Sequence, residues 1–151
     1  MEHQLSEDMS LQLREEEDGS KKLGIKYDGN SYIMWLHPLY PIFKAESSIT
    51  LDISTFIRLL AHWPRFMAAI DEGYTCIKLR SRHTEEGYEE ELSATVGDFN
   101  FDGTIMRGLR LLHYNDAPNA FNGVVLLAKE EMLRMHQLLA DLVDAFADDD
   151  T

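Results

Sequence analysis

The chain contains a version of itself. Laying Leu51–Asp71 over Leu127–Ala147, a shift of 76 residues, makes the apolar positions coincide. Phe56, Leu59, Trp63, Met67 and Ile70 fall on Met132, Met135, Leu139, Val143 and Phe146, and Arg58 falls on Arg134. The same shift lays Leu36-His37 on Leu112-His113, Ile33 on Leu109 and Trp35 on Leu111. An internal repeat of this length implies a body built from two similar halves, with function on surfaces that both halves form.

Each half reads as strand-strand-strand-strand-helix. Residues 10–14 and 23–27 alternate apolar and polar, as half-buried strands do. A strand follows over 32–37, then a proline-containing loop over 38–47 and a short strand over 48–51. Helical period takes over at Ile53 and runs to Asp71, with Gly73 as a stop and a kink or fresh start expected at Pro64. In the second half, 75–83 alternates, 84–91 is an acidic turn around Gly87, and Leu92, Ala94 and Val96 alternate before a bulge expected at Gly97-Asp98. Strands over 104–114 and 123–127 lead into a helix over 129–147, with Glu130 and Glu131 in its first turn. The wide apolar stripes of both helices imply packing against each other as well as against sheets. The expected class is α+β, with two curved antiparallel sheets joined by a helix pair as a pseudo-dimer. The expected bounds are an acidic tail over 1–8, units over 9–73 and 74–147, and an acidic tail over 148–151.

The net charge of −13 is concentrated at the ends. Residues 1–18 contribute −6 and 147–151 contribute −3, which leaves −4 for 19–146. Such ends solubilise, or they dock on a basic partner. One cysteine, Cys76, excludes an internal disulfide framework. No apolar run nears the ~20 residues of a membrane span, and the first residues lack a signal peptide's pattern. The expectation is a soluble intracellular protein of cytoplasm or nucleus, without membrane association.

Catalytic signatures are missing from the sequence. The six histidines form no zinc-ligand spacing, and there is no phosphate loop or nucleophile elbow. Neither an enzyme nor a cofactor nor a metal is expected. Cations, by contrast, favour strands and share faces there. Lys22 and Lys26 form one row, Lys78, Arg80 and Arg82 another, and Arg107 and Arg110 lie on a third strand. Such rows suit phosphates, and Trp35, Tyr27, Phe101 and Tyr114 are candidate stacking platforms.

Gly123–Leu127, Lys129–Met132 and Leu138–Phe146 resemble the last strand and helix of the positive-cofactor-four family of transcriptional coactivators. Ser48–Leu51, Phe56 and Leu60–Asp71, with the Trp63-Pro64 step, resemble the same element. Tandem copies in one chain resemble the Whirly group. The resemblance implies single-stranded nucleic-acid binding on the sheets, through Lys26, Trp35, Lys78, Arg80, Arg82 and Arg110. Family members carry a basic strand surface, whereas this body is mildly acidic. The partner expected is therefore single-stranded DNA or RNA, bound by a monomeric pseudo-dimer or a homo-oligomer. The alternative is an acidic interaction, nucleic-acid-mimicking or assembly module on the same fold, docking on a basic protein.

Overall fold

A computed structural model describes residues 2–27, 33–35, 44–101, 104–117 and 122–147, with the side chains of 33–35, 44, 45, 101 and 104 excepted. The first half runs β1 (Glu2–Gln4), β2 (Met9–Glu15), β3 (Lys21–Tyr27), β4 (Ile33–Trp35), β5 (Lys44–Glu46), β6 (Ser48–Asp52) and α1 (Ile53–Ala69). The second runs β7 (Thr75–His83), β8 (Glu89–Phe101), β9 (Thr104–Asn115), β10 (Gly123–Ala128) and α2 (Lys129–Ala147). The fold is α+β, with two helices and two sheets among the described residues. Sheet 1 has the order β1-β2-β3-β6, all antiparallel. Sheet 2 has the order β4-β5-β10-β9-β8-β7, antiparallel except for a single parallel bridge between β5 and β10. Among the described residues no helix is long and apolar enough to cross a membrane.

Alternation in the sequence builds both sheets. Leu11, Leu23, Ile25, Ile49 and Leu51 turn inward from sheet 1, while Leu92, Ala94, Val96, Leu109 and Leu111 do so from sheet 2. Period-2 strands put every second side chain on one face, so these residues and the apolar helix stripes close one core. The helices meet in opposite directions. Phe56 near the start of α1 stacks on Phe146 near the end of α2, with ring centroids 4.8 Å apart. Nearer their middles, Trp63 Nε1 donates to His136 Nδ1 at 2.9 Å. The expected helix-helix packing is therefore present.

Helix ends are held by named groups. Asp52 caps α1, accepting from the Thr55 backbone N–H at 2.9 Å. Glu131 reaches back to the Ala128 N–H at 2.9 Å and also accepts from Ser6 Oγ at 2.7 Å. At the other ends Lys21 Nζ donates to the Ala145 carbonyl at 2.8 Å, and Arg107 grips the carbonyls of Ala69, Ile70 and Gly73. Cations at helix C-termini satisfy orphan carbonyls and oppose the dipole.

The halves correspond in part. The turns after β2 and β7 are built alike: Glu16 N–H donates to Ser20 O and Gly19 N–H to Glu16 O, while Thr84 N–H donates to Tyr88 O and Gly87 N–H to Thr84 O. Gly19 and Gly87 sit at φ +85° and +89°, where a side chain would be strained. The third strands differ, however. β9 lies between β8 and β10, but β4 leaves its half altogether, so β3 pairs directly with β6. The chain from β5 to β6 passes from sheet 2 to sheet 1 at Ser47.

Several local expectations are corrected. Residues 1–8, expected as a tail, supply β1 and the buried Leu5. α1 runs through Pro64 as one helix, so there is no fresh start there, and Pro64 lies on the exposed side. The register passes Gly97-Asp98 undisturbed, and the irregularity falls between Lys78 and Arg80 instead. The acidic turn ends earlier than expected, with β8 starting at Glu89. The turns at Asp28–Asn30 and Asp102-Gly103, residues 38–43, the loop around Pro118 and the tail 148–151 lie outside the described residues.

Candidate functional site

The eight residues singled out from the sequence do not form one surface. Lys78, Arg80 and Arg82 share β7, but acids meet all three. Lys78 Nζ lies 3.4 Å from Glu91, Arg80 bridges Asp52 at 3.3 Å and Glu90 at 2.8 Å, and Arg82 reaches Glu90 at 3.0 Å. Glu90 is nearly buried and also faces His113 Nε2 at 3.4 Å. This group ties β6 of sheet 1 to β7, β8 and β9 of sheet 2. Burial pushes the Glu90 carboxyl up, but the Arg82 hydrogen bond and the charges of Arg80 and Arg82 outweigh it and hold the pKa below the usual value. Asp52 is likewise pushed up by burial and held low overall by hydrogen bonds from Thr55 and Ser54 and by the Arg80 charge. The row is a seam between sheets, with little positive charge left for a phosphate.

Arg107 is the clamp on the end of α1 and pairs with Asp98 at 3.3 Å. Arg110 lies with its guanidinium 4.6 Å from the centre of the Phe99 ring. Trp35 is on β4, and its side chain lies outside the described residues, as does that of Phe101. Tyr27 is no stacking platform: it packs on the core and donates to the Leu126 carbonyl at 3.0 Å. Tyr114 is half-buried on β9.

Lys22 and Lys26 have a different setting. They lie on the outward face of β3, with Gly24 between them. Across β2, Arg14 is directly opposite Lys22, Gln12 opposite Gly24 and Ser10 opposite Lys26. Across β6, Asp52, Thr50 and Ser48 are their partners. Gly24 has no side chain, so the sheet is hollowed there. The hollow holds about 190 Å³ and is lined by Gln12, Arg14, Lys26, Ser48 and Thr50. Sites for drug-sized ligands span roughly 300–1,000 Å³, so this hollow suits a phosphate or a sugar. Among the described residues Arg14 and Lys26 make no ion pair, and both are exposed. Lys22 is half-buried and favours the Asp18 carboxylate, whose pKa is lowered first by hydrogen bonds from Ser20. The Asp52 carboxylate is engaged by α1 and Arg80, and Glu2, opposite Gln12, is the acid that borders the face from β1.

Sequence reasoning found Lys22 and Lys26 and missed Arg14, Gln12, Thr50 and the gap at Gly24. The signal was available, since Arg14 and Gln12 stand on the polar side of the alternation in 10–14. It also missed Tyr74 and Phe99, which lie together beside Gly97. Among the described residues no group of three or more His, Cys, Asp or Glu is placed to hold a metal ion. Comparison with protein families, curated proteins and solved structures finds no match to this chain.

Proposed function

We propose that the open face of sheet 1 binds the phosphate backbone of single-stranded nucleic acid, in the manner of the coactivator and Whirly proteins. One observation carries the reading: Arg14 and Lys26 line a polar hollow with Lys22 beside it on the same face, while the described cations of sheet 2 other than Arg110 are spent on acids and helix ends. Lys22 and Lys26 are four residues apart on one strand, or about 13 Å at ~3.3 Å per residue. Arg14 lies across from Lys22 at the spacing of paired strands. Three cations engage about three phosphates, and Gln12, Ser48 and Thr50 supply hydrogen bonds to phosphate or sugar. Binding through the backbone alone is tolerant of sequence and weakens with salt.

The internal repeat supports the same reading. The strand-helix pairs β6-α1 and β10-α2, the matched turns and the stacked helices fit two tandem units joined as a pseudo-dimer, with β4 and β5 exchanged to the second sheet. A second reading, an acidic module docking on a basic partner, is favoured by the pairing of sheet 2 cations on β7 and by the exposed turn with Glu85 and Glu86, next to the exposed Glu89 of β8.

The test is fluorescence anisotropy of a labelled strand of about 30 nucleotides and its duplex at low salt, a regime in which phosphate contacts dominate. The proposal expects preference for the single strand, loss of binding in Arg14→Ala/Lys22→Ala/Lys26→Ala, and no change in Lys78→Ala/Arg82→Ala. Absence of binding by the folded wild type would turn the account to the second reading.

A further inference from the structure

The outward face of β7, β8 and β9 carries a separate cluster that neither the seam nor the core explains. Gly97 and Gly108 are opposite each other on β8 and β9, and both are buried, Gly108 against the Leu127 backbone and Gly97 under the Tyr74 ring. Two rings lie close to Gly97. A Cβ added to Gly97 would lie 3.3 Å from Tyr74 Cδ2 and 4.0 Å from Phe99 Cζ. Arg110, opposite Thr95 on the same face, lays its guanidinium over the Phe99 ring. Thr95 Oγ1 donates to Cys76 Sγ at 3.1 Å, which brings the chain's one cysteine to the edge of the cluster. Tyr74 is 74% exposed, the most exposed of the large hydrophobic side chains among the described residues.

Arg110 is the unusual member. Among the described residues it makes no hydrogen bond or ion pair, and its Nε is buried without an acceptor. Burial also pulls its pKa below the ordinary guanidinium value. A guanidinium offers five donors in a fixed fork suited to two oxygens of a phosphate or carboxylate. Leaving a dehydrated donor unmatched is costly, and this one is held in place by an aromatic ring. The exposed ring of Tyr74 offers a flat apolar face beside the half-buried Phe99 ring that carries Arg110, and a nucleobase has the matching π-face.

We infer that Tyr74, Phe99 and Arg110 form a nucleotide site, the Tyr74 ring taking the base and the guanidinium, held over Phe99, taking the phosphate of a nucleoside 5′-monophosphate. That chemistry has two sources, a free nucleotide or the terminal nucleotide of a strand. The site is on sheet 2 and stands independently of the phosphate face on sheet 1.

Cys76 reports occupancy, because it is exposed and it is the only thiol to label. The experiment follows the alkylation rate of Cys76 by N-ethylmaleimide in the full chain. The probes are adenosine 5′-monophosphate, adenosine, inorganic phosphate, and a short strand with or without a 5′-phosphate. Adenosine monophosphate in the millimolar range is expected to slow alkylation, with adenosine and phosphate less effective. Tyr74→Ala changes an exposed ring and keeps the fold. It is expected to weaken protection by at least about fivefold, the low end for loss of one stacked base. Arg110→Lys keeps the charge, loses the fork, and should lose the preference for monophosphate over adenosine. Protection by the free nucleotide assigns a nucleotide site. Protection only by the 5′-phosphorylated strand assigns a strand terminus. The Arg14→Ala/Lys22→Ala/Lys26→Ala variant should be protected as the wild type is, even if it has lost strand binding. Unchanged alkylation with every probe, equal protection in Tyr74→Ala, or loss of nucleotide protection in the sheet 1 variant would overturn the inference.

Discussion

Glu90→Gln should destabilise the fold at neutral pH and cost much less in acid. The side chain of Glu90 is only 8% exposed and joins Arg80 at 2.8 Å and Arg82 at 3.0 Å. Breaking a fully buried pair costs about 3–5 kcal/mol, because a charge is left without a partner. Here Arg80 keeps Asp52 at 3.3 Å and Arg82 is 60% exposed, so water and Asp52 absorb part of the loss. The estimate becomes about 2–3 kcal/mol at pH 7. Glu90 has its pKa held below the ordinary 4.5 in the folded chain. Above that value both states are ionised and its contribution is complete. As pH falls, the unfolded chain takes up its proton first, and the contribution disappears as pH passes through the folded pKa. Glutamine does not titrate, so the variant's stability should fall less steeply in acid and its deficit should shrink. Urea unfolding followed by tryptophan fluorescence at neutral pH and near pH 3 measures this, Trp63 being buried in the core. A deficit equal at both pH values, or one below about 0.5 kcal/mol at pH 7, would refute the reasoning, because such values belong to surface pairs.

Three further outcomes follow from packing and capping. Phe56→Ala removes a ring that is 1% exposed and stacked on Phe146, and should cost about 3–5 kcal/mol in the same urea assay. Arg107→Ala frees the carbonyls of Ala69, Ile70 and Gly73 at the end of α1 and should cost about 2 kcal/mol, read as a lower Tm, the scale of a hydrogen bond to a charged group. Gly24→Ala meets nothing closer than the Gln12 carbonyl at 3.8 Å, so it should be stability-neutral or slightly stabilising while partly filling the hollow and weakening strand binding, read by thermal melting and anisotropy together.

Much of the fold is legible because its signals are local. The strict alternation of Ile77, Lys78 and Leu79 and the wide apolar stripe from Met132 to Phe146 each name an element and its inward face. What is not legible depends on distant partners. β1 is too short and polar to show a period, and only its pairing with β2 and the burial of Leu5 reveal it. Nothing within residues 33–35 says that they join the far sheet. The cation row on β7 reads as a phosphate grip until Asp52 of β6 and Glu90 of β8 are brought alongside it, and those partners are set by the fold. Lys22 and Lys26 kept their exposed face, but their setting needed Arg14 and the missing side chain at Gly24, which only the register of β2 on β3 brings together. Tyr74 escaped notice because it precedes a strand, and it is the diagonal approach across Gly97 that gives it a role.

The salt dependence of single-strand binding tests the sheet 1 face most directly. Three phosphate contacts at about −0.7 each give a slope of about −2 in log affinity against log salt for the wild type. The wild type is expected to show that slope, and Arg14→Ala/Lys22→Ala/Lys26→Ala a slope near zero at unchanged Tm. A folded variant that keeps the wild-type slope would contradict it and remove sheet 1 as the binding face.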